Sequence, residues 1–248
     1  SECDECIFED DSIYNKCVSK IASKTIKNGE EEPFNLTVNN VGYGTANTEF
    51  EIMTGLNLDN FGPGEFPYKT ILKSKTCESA AYILKEYGYS THAIHNNTAT
   101  FYGRKNVFTR LGYDTFTSVE YMNPKNYTVT DWVKDDVLTE EIMKVLRSTE
   151  EKDYIYTISV QGHGDYPKES VLEEPVITVV DGYDSKEERY MWEYYVNMIH
   201  EMDIFVGDLI AQLEAYNEDV VLVLYGDHLP SLNIKEKDLK NGNLYETE

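Results

Sequence analysis

The sequence is short of positive charge, of cysteine and of long apolar runs, and each shortage closes off a class of function. Of its 248 residues, 22 are Lys or Arg and 45 are Asp or Glu, a formal net charge of −23. A surface this negative repels phosphate backbones, which argues against general nucleic-acid binding. It also disfavours docking on anionic lipid through a basic patch. The longest apolar runs are short segments such as Val220-Val221-Leu222-Val223-Leu224-Tyr225. These fall far below the roughly 18–20 residues of a membrane helix, and no signal peptide is visible. Cysteine is confined to Cys3, Cys6, Cys17 and Cys77. Cys3 and Cys6 form a Cys-x-x-Cys pair, but no second pair follows to complete a zinc site, so free thiols or a disulfide are expected.

What is present points to a folded enzyme-sized domain. Aromatics make up 12% of the chain, 20 of them Tyr, which a disordered acidic segment would lack. A chain of this length buries roughly 70–75% of its unfolded surface. With no repeat or low-complexity linker to divide it, residues 1–248 are expected to form a single domain. Short apolar runs alternate with helical patterns, the signature of an α/β protein with a mostly parallel sheet. Strands are expected at Ser90–His95, Tyr154–Val160 and Val220–Tyr225, each a continuous run as for strands covered on both faces. Helices are expected over Glu78–Tyr87, stopping at Gly88, and from Glu187 to Tyr216. In the second, Met191, Tyr195, Met198, Met202, Phe205, Leu209 and Leu213 recur along one face as a core stripe.

The chemistry gathers after the strands. The first ends in His95, the second leads into Gln161-Gly162-His163-Gly164, and the third into Gly226-Asp227-His228. Ligands of open α/β sheets bind outside the carboxyl ends of the strands, so three of the five histidines are directed to one edge. Asp227 and His228, behind a glycine that permits a tight turn, can both reach a divalent cation. Mixed oxygen and nitrogen ligation suits Mn²⁺ or Zn²⁺ better than Mg²⁺.

A second candidate is Gly42-Tyr43-Gly44-Thr45-Ala46-Asn47-Thr48-Glu49-Phe50-Glu51, closed by Thr54-Gly55. Two glycines precede a helix with Thr45 at or near its N-cap. One reading makes Thr45 a capping residue with Thr48 or Glu49 completing the cap. The other makes its hydroxyl a nucleophile at a helix N-terminus, where free N–H groups and the dipole favour phosphate and a bound metal eases deprotonation.

These motifs, with Gly88-Tyr89-Ser90-Thr91, Phe101-Tyr102-Gly103-Arg104, Leu111-Gly112-Tyr113-Asp114 and Tyr225-Gly226-Asp227-His228-Leu229-Pro230-Ser231, run in the order seen in a known group. From about Phe34 onward the sequence resembles the lipoteichoic acid synthases and phosphoglycerol transferases, a sulfatase-like branch of the alkaline phosphatase superfamily. The resemblance implies a doubly wound α/β fold with helices on both faces and a phospho-threonine intermediate at Thr45. It implies one divalent metal, Mn²⁺ ahead of Mg²⁺ or Zn²⁺, held by Thr45, Asp227 and His228. His95, Tyr102, Arg104 and His163 would hold the phosphoglycerol group, Tyr102 standing where the group often has Trp. An Arg fork suits phosphate oxygens, and His can donate a hydrogen bond or shuttle a proton. Without the resemblance, Arg104 reads equally well as a surface ion pair.

The group's first strand, which ends in an acidic metal ligand, has no counterpart here. Glu2 is either the remnant of that ligand or part of a disordered acidic terminus, and Leu244-Tyr245-Glu246-Thr247-Glu248 reads as the lead-in to a further strand. The domain is thus expected to be incomplete at both ends. The implied partners are a glycerophospholipid or phosphoglycerol donor and a hydroxyl acceptor, without nucleic acid. The implied place is outside the cytoplasm, at the cell membrane, through segments absent from this chain. Two other readings stay open: a phosphodiesterase or sulfatase-like hydrolase using the same threonine, and a catalytically silent binding domain. A sulfatase proper would want Cys or Ser in a Cys/Ser-x-Pro-x-Arg context, which the sequence lacks.

Overall fold

The computed structural model describes residues 36–38, 40, 42–62, 64–150, 152–239 and 246–247. Glu2, Cys3, Cys6 and Cys17 lie outside the described residues. The described residues form two compact units. The first takes in those up to Ile83, Tyr102–Gly112 and those from Asn217 onward; the second comprises Leu84–Phe101 and Tyr113–Tyr216.

In the first unit, β1 (Leu36–Thr37) pairs antiparallel with β5 (Glu246–Thr247), Leu36 opposite Thr247. Between them in sequence come α1 (Thr45–Thr54), the early part of α2 (Ala80–Glu86), and α3 (Arg104–Arg110). Glycines bound α1 at both ends. Gly44 precedes it at φ 103°, and Gly55 ends it at φ 71°, its N–H returning to the Glu51 carbonyl. These left-handed angles suit a residue without Cβ. Although α1 carries Glu49 and Glu51, both are buried beside Ala46, Phe50 and Met53. A carboxylate in that position needs partners. Glu51 finds one in the Leu58 N–H, 2.8 Å from its Oε1. The apolar interior of this unit also draws on Leu36, Val38, Tyr68, Leu72, Val107, Phe108 and Leu111, all buried.

The second unit is built on a parallel sheet of order β3-β2-β4, from β2 (Tyr89–His95), β3 (Thr115–Ser118) and β4 (Lys152–Ile158). The central strand β2 is buried from Thr91 to His95. That burial explains why it reads as a continuous run and not an alternating one. Its polar members are satisfied across the sheet. His92 Nδ1 lies 2.7 Å from Thr115 Oγ1 and its Nε2 lies 3.1 Å from Asp153 Oδ1. Two helices, α4 (Asp136–Leu146) and α5 (Lys186–Ala215), belong to this unit. Ser185 caps α5 by accepting the Glu188 N–H at 3.1 Å, and Glu188 reaches back to the Asp184 N–H at 2.7 Å. This is the reciprocal logic of a capping box. Its buried stripe is Tyr194, Met198, Phe205, Leu209 and Leu213, so Met191, Tyr195 and Met202 stand at the margin of the expected core face.

The fold is therefore α/β with a parallel sheet and flanking helices. Four expected elements, two strands and two helices, are found within about two residues of their sequence positions, β4 being shifted toward the N-terminus. The strand expected at Val220–Tyr225 is a correction. Those residues carry no assigned strand, and none is fully buried: Val221 is 60% and Leu224 49% exposed. An apolar run makes a strand when a neighbouring strand completes its hydrogen bonds, and none does so here among the described residues. No described helix is long and apolar enough to cross a membrane.

Candidate functional site

Thr45 is the first residue of α1, not its cap; Gly44 holds the cap position without a side-chain hydrogen bond. The turn before the helix is close-packed. A Cβ on Gly44 would stand 2.5 Å from Asn40 Cγ, and one on Gly42 would stand 3.3 Å from the Ser231 backbone. The same turn is tied to the distant Asp227 segment by the Gly42 N–H, which donates to the Leu229 carbonyl at 2.9 Å.

Three residues of α1 at helical spacing then set the site. Thr45 Oγ1 lies 3.3 Å from His228 Nε2. Thr48 Oγ1 donates to the Asp227 carbonyl at 2.8 Å. Glu49 meets Arg104. Positions i, i+3 and i+4 share one helix face, so a single helix registers all three contacts. Neither Thr48 nor Glu49 completes a cap, which corrects that reading of the motif.

His228 is oriented from its other side. Nδ1 lies 2.9 Å from the Leu229 carbonyl, which can only accept, so the neutral ring carries its proton there and turns the Nε2 lone pair toward Thr45. Asp227 Oδ2 is 3.4 Å from Nε2, and Oδ1 accepts the His228 N–H at 3.1 Å. Hydroxyl, carboxylate and imidazole thus converge on one point. No group of three His, Cys, Asp or Glu side chains fit for a metal occurs among the described residues. Asp227 and His228, with the Thr45 hydroxyl, nevertheless form a mixed oxygen–nitrogen donor set of the kind that suits Mn²⁺ or Zn²⁺. The fourth expected ligand, Glu2, lies outside the described residues.

Arg104 and Tyr102 are in the same unit as Thr45. Arg104 is not a surface ion pair: at 1% exposure it gives Nη2 to Glu49 Oε1 at 2.5 Å and Nε to Oε2 at 3.4 Å. Tyr68, itself buried, donates its hydroxyl to Glu49 Oε2 at 2.8 Å. Burial first, and the Glu49 charge second, hold that phenol well above its ordinary range. Tyr102 sits at φ 54°, a left-handed conformation that is strained for a bulky side chain. Its ring is stacked 5.1 Å from the Arg104 guanidinium carbon, and the Lys69 ammonium lies 5.6 Å from the same ring.

His95 and His163 belong to the second unit. His95 ends β2, buried, with Nδ1 2.9 Å from the Ile158 carbonyl. His163 is exposed, and its ring lies 4.9 Å from Trp132 and 6.4 Å from Phe101. The turn carrying it is held by a residue that sequence reasoning did not single out. Asp135 Oδ1 accepts the Val160 N–H at 3.0 Å, the Gln161 N–H at 3.3 Å and Asn96 Nδ2 at 2.7 Å. In return the Asp135 N–H donates to Gln161 Oε1 at 2.9 Å. Burial pushes this carboxyl up to about 6, against the pull of its backbone and Asn96 donors. Tyr68 was likewise missed, and Glu49 was read only as a possible capping residue, not as the partner of Arg104 and Tyr68; its four-residue spacing from Thr45 was the available signal.

Comparison with known proteins agrees with this architecture. The sulfatase family model matches residues 22–248. A Rhizobium meliloti (strain 1021) protein, provisionally named as a cyclic beta-1,2-glucan modification protein, is 29% identical over 189 residues, covering 76% of this chain and 29% of its own length. The lipoteichoic acid synthase of Staphylococcus saprophyticus subsp. saprophyticus is 25% identical over 191 residues, covering 74% of this chain and 27% of its own. Among solved structures, the Streptococcus pyogenes phosphoglycerol transferase GacH in complex with sn-glycerol-1-phosphate superposes with a TM-score of 0.73 at 22% identity. That match covers 95% of this chain and 60% of that one. The chain thus spans under a third of the length of these two relatives. With the family model spanning all but the first residues, the chain belongs to the sulfatase family.

Proposed function

We propose that this chain is the catalytic part of a metal-dependent transferase of phosphoglycerol-type groups, acting through a phospho-threonine at Thr45. The observation that carries the reading is the Thr45 hydroxyl at the start of α1, 3.3 Å from His228 Nε2 and beside Asp227. Lipoteichoic acid synthase and phosphoglycerol transferase among the similar proteins support the choice of group. A divalent ion, Mn²⁺ by preference, would be held by Asp227, His228 and Thr45, with Glu2 as the fourth ligand. It would supply charge neutralisation and a lowered hydroxyl pKa.

Each remaining role falls to the chain itself. Thr45 Oγ1 attacks phosphorus in line and loses its proton as the P–Oγ1 bond forms. The P–O bond to the donor alcohol breaks, and that oxygen takes up a proton as it leaves. The free N–H groups at the start of α1 favour the phosphoryl oxygens. An acceptor hydroxyl then attacks the phospho-threonine, restoring the Thr45 hydroxyl. Arg104, in a plane fixed by Glu49, and Tyr102 stacked on it are assigned to the phosphoglycerol group, as are His95 and His163 on the resemblance. Residues 1–248 are read as one sulfatase-like domain, working outside the cytoplasm at the cell membrane.

The test is release of diacylglycerol from phosphatidylglycerol in the presence of Mn²⁺, compared between the wild type and Thr45→Ala, with mass spectrometry of Thr45 after quenching. Loss of the nucleophile is expected to lower release by about 10⁴-fold or more, and the wild type to gain one phosphoglyceryl group on Thr45. Release that survives the substitution sinks the proposed nucleophile. If water serves equally well as acceptor, the hydrolase reading takes its place.

A further inference from the structure

The acidic average of this chain hides a basic strip. Phe66–Cys77 and Tyr102–Gly112 contain no Asp or Glu, yet together they carry Lys69, Lys73, Lys75, Arg104, Lys105 and Arg110. Both stretches belong to the first unit, and they lie side by side. At one end the Lys69 ammonium is 5.6 Å from the Tyr102 ring and 5.4 Å from the Phe66 ring. At the other the Cys77 N–H donates to the Arg110 carbonyl at 3.2 Å. Each stretch turns its apolar residues inward: Tyr68 and Leu72 from one, Val107, Phe108 and Leu111 from the other, all buried.

The charged residues are left on the solvent side. Lys69, Lys73, Lys75 and Lys105 are exposed and Arg110 is half-exposed. None of these five is in an ion pair among the described residues, whereas Lys85, Lys134, Lys144 and Arg189 each sit on a carboxylate. Arg104 is the exception within the strip, buried against Glu49.

We propose that this strip docks the chain on an anionic phospholipid surface. Lysines spaced over two packed segments meet many headgroups at once. Aromatic rings beneath a lysine, as Phe66 and Tyr102 are beneath Lys69, suit the headgroup layer, where a ring and a cationic stem are both accommodated. The rest of the molecule sharpens the choice. With 45 acids elsewhere in the chain, every other orientation is repelled from a negative bilayer, so the strip selects one pose. That pose sets Tyr102, assigned above to the donor phosphoglycerol, at the surface where a glycerophospholipid donor resides. The choice of lipid over another polyanion rests on that assignment; the strip itself does not.

The test is sedimentation of the 248-residue chain with phosphatidylglycerol vesicles, with phosphatidylcholine vesicles, and with phosphatidylglycerol vesicles at about 1 M salt, where surface attraction is screened within a few ångströms. Binding is expected in the first arm and lost in the other two. Lys73→Glu/Lys75→Glu/Lys105→Glu is expected to lower partitioning by about a hundredfold, at about fivefold or more per lysine. A charge-matched control, Lys152→Glu/Lys168→Glu/Lys186→Glu, should keep it. A Lys→Gln triple at the strip positions serves as the milder variant if charge reversal lowers the melting temperature. Turnover of a dispersed short-chain donor should be unchanged by the strip substitutions, which separates this inference from the proposed catalytic role. Equal binding to phosphatidylcholine, or binding that survives both strip triples, overturns the proposal. So does binding of soluble poly(glycerol phosphate) in place of vesicles.

Discussion

Glu49 and Asp135 are two carboxylates shut away from water, at 2% and 0% exposure, one in each unit. Glu49 faces a guanidinium on one side and a phenol on the other. Among the described residues Asp135 has no cation partner: Oδ1 takes two backbone N–H groups and the Asn96 amide, while Oδ2 has no partner. The first solution keeps a charge buried by neutralising it, the second by hydrogen bonding alone. Where only neutral donors are available, desolvation wins, and the Asp135 carboxyl rises to about 6. The contrast shows what each holds. Glu49 fixes an arginine assigned to phosphate, whereas Asp135 fixes backbone, joining the end of β2 to the turn that carries His163.

The largest effect should come from breaking the charge pair. Glu49→Gln keeps the shape and leaves Arg104 buried without a counter-charge. Removing one partner of a buried pair costs about 3–5 kcal/mol. Urea denaturation of the variant should show that loss, and an anion such as inorganic phosphate should recover part of it in the variant more than in the wild type. A cost under about 1 kcal/mol would mean that Arg104 is not neutralised by Glu49 in solution.

Asp135 should behave in the opposite way, through pH. Its carboxyl rises from 3.8 to about 6 on folding, which corresponds to about 3 kcal/mol. Because the folded pKa is the higher one, the folded state holds the proton more tightly between those values, and stability falls as pH rises through the window. Asp135→Asn cannot titrate. The stability of the wild type relative to this variant should therefore decline by about 3 kcal/mol between pH 3.5 and 7.5, measured by denaturant unfolding at each pH. A flat difference would show that unseen partners, or water at Oδ2, already offset the burial.

Much of this was legible in sequence and some was not, for reasons that follow the same contrast. The boundaries of α1 are written locally, in glycines at φ-positive positions, and β2 in a continuous, non-alternating run that stops at His95. That Thr45, Asp227 and His228 lie together could be anticipated because each sits in a compact local motif. Glu49 read as a capping acid because nothing near it in sequence reveals a guanidinium 55 residues further on. Asp135 was not singled out, since its partners arrive from the ends of two different strands. The Val220–Tyr225 run carries no strand because hydrophobicity states a preference for burial, while a strand needs a neighbour, and none pairs with it among the described residues.

The smallest effect tests how evenly Glu49 is shared. Tyr68 donates to Oε2, the oxygen that Arg104 reaches at 3.4 Å, while Oε1 receives the shorter 2.5 Å contact. Tyr68→Phe removes the hydroxyl and keeps the ring, leaving Oε2 with the weaker Arg104 contact. Hydrogen bonds to a charged group contribute about 1.5–3 kcal/mol. Because the guanidinium still neutralises Glu49, the cost should fall at the low end, about 1.5 kcal/mol, well below that of Glu49→Gln. A double-mutant cycle of Tyr68→Phe with Glu49→Gln should then show a coupling of about 1 kcal/mol. Additive costs would mean that the phenol acts through packing alone, and that Arg104 by itself keeps the Glu49 charge buried.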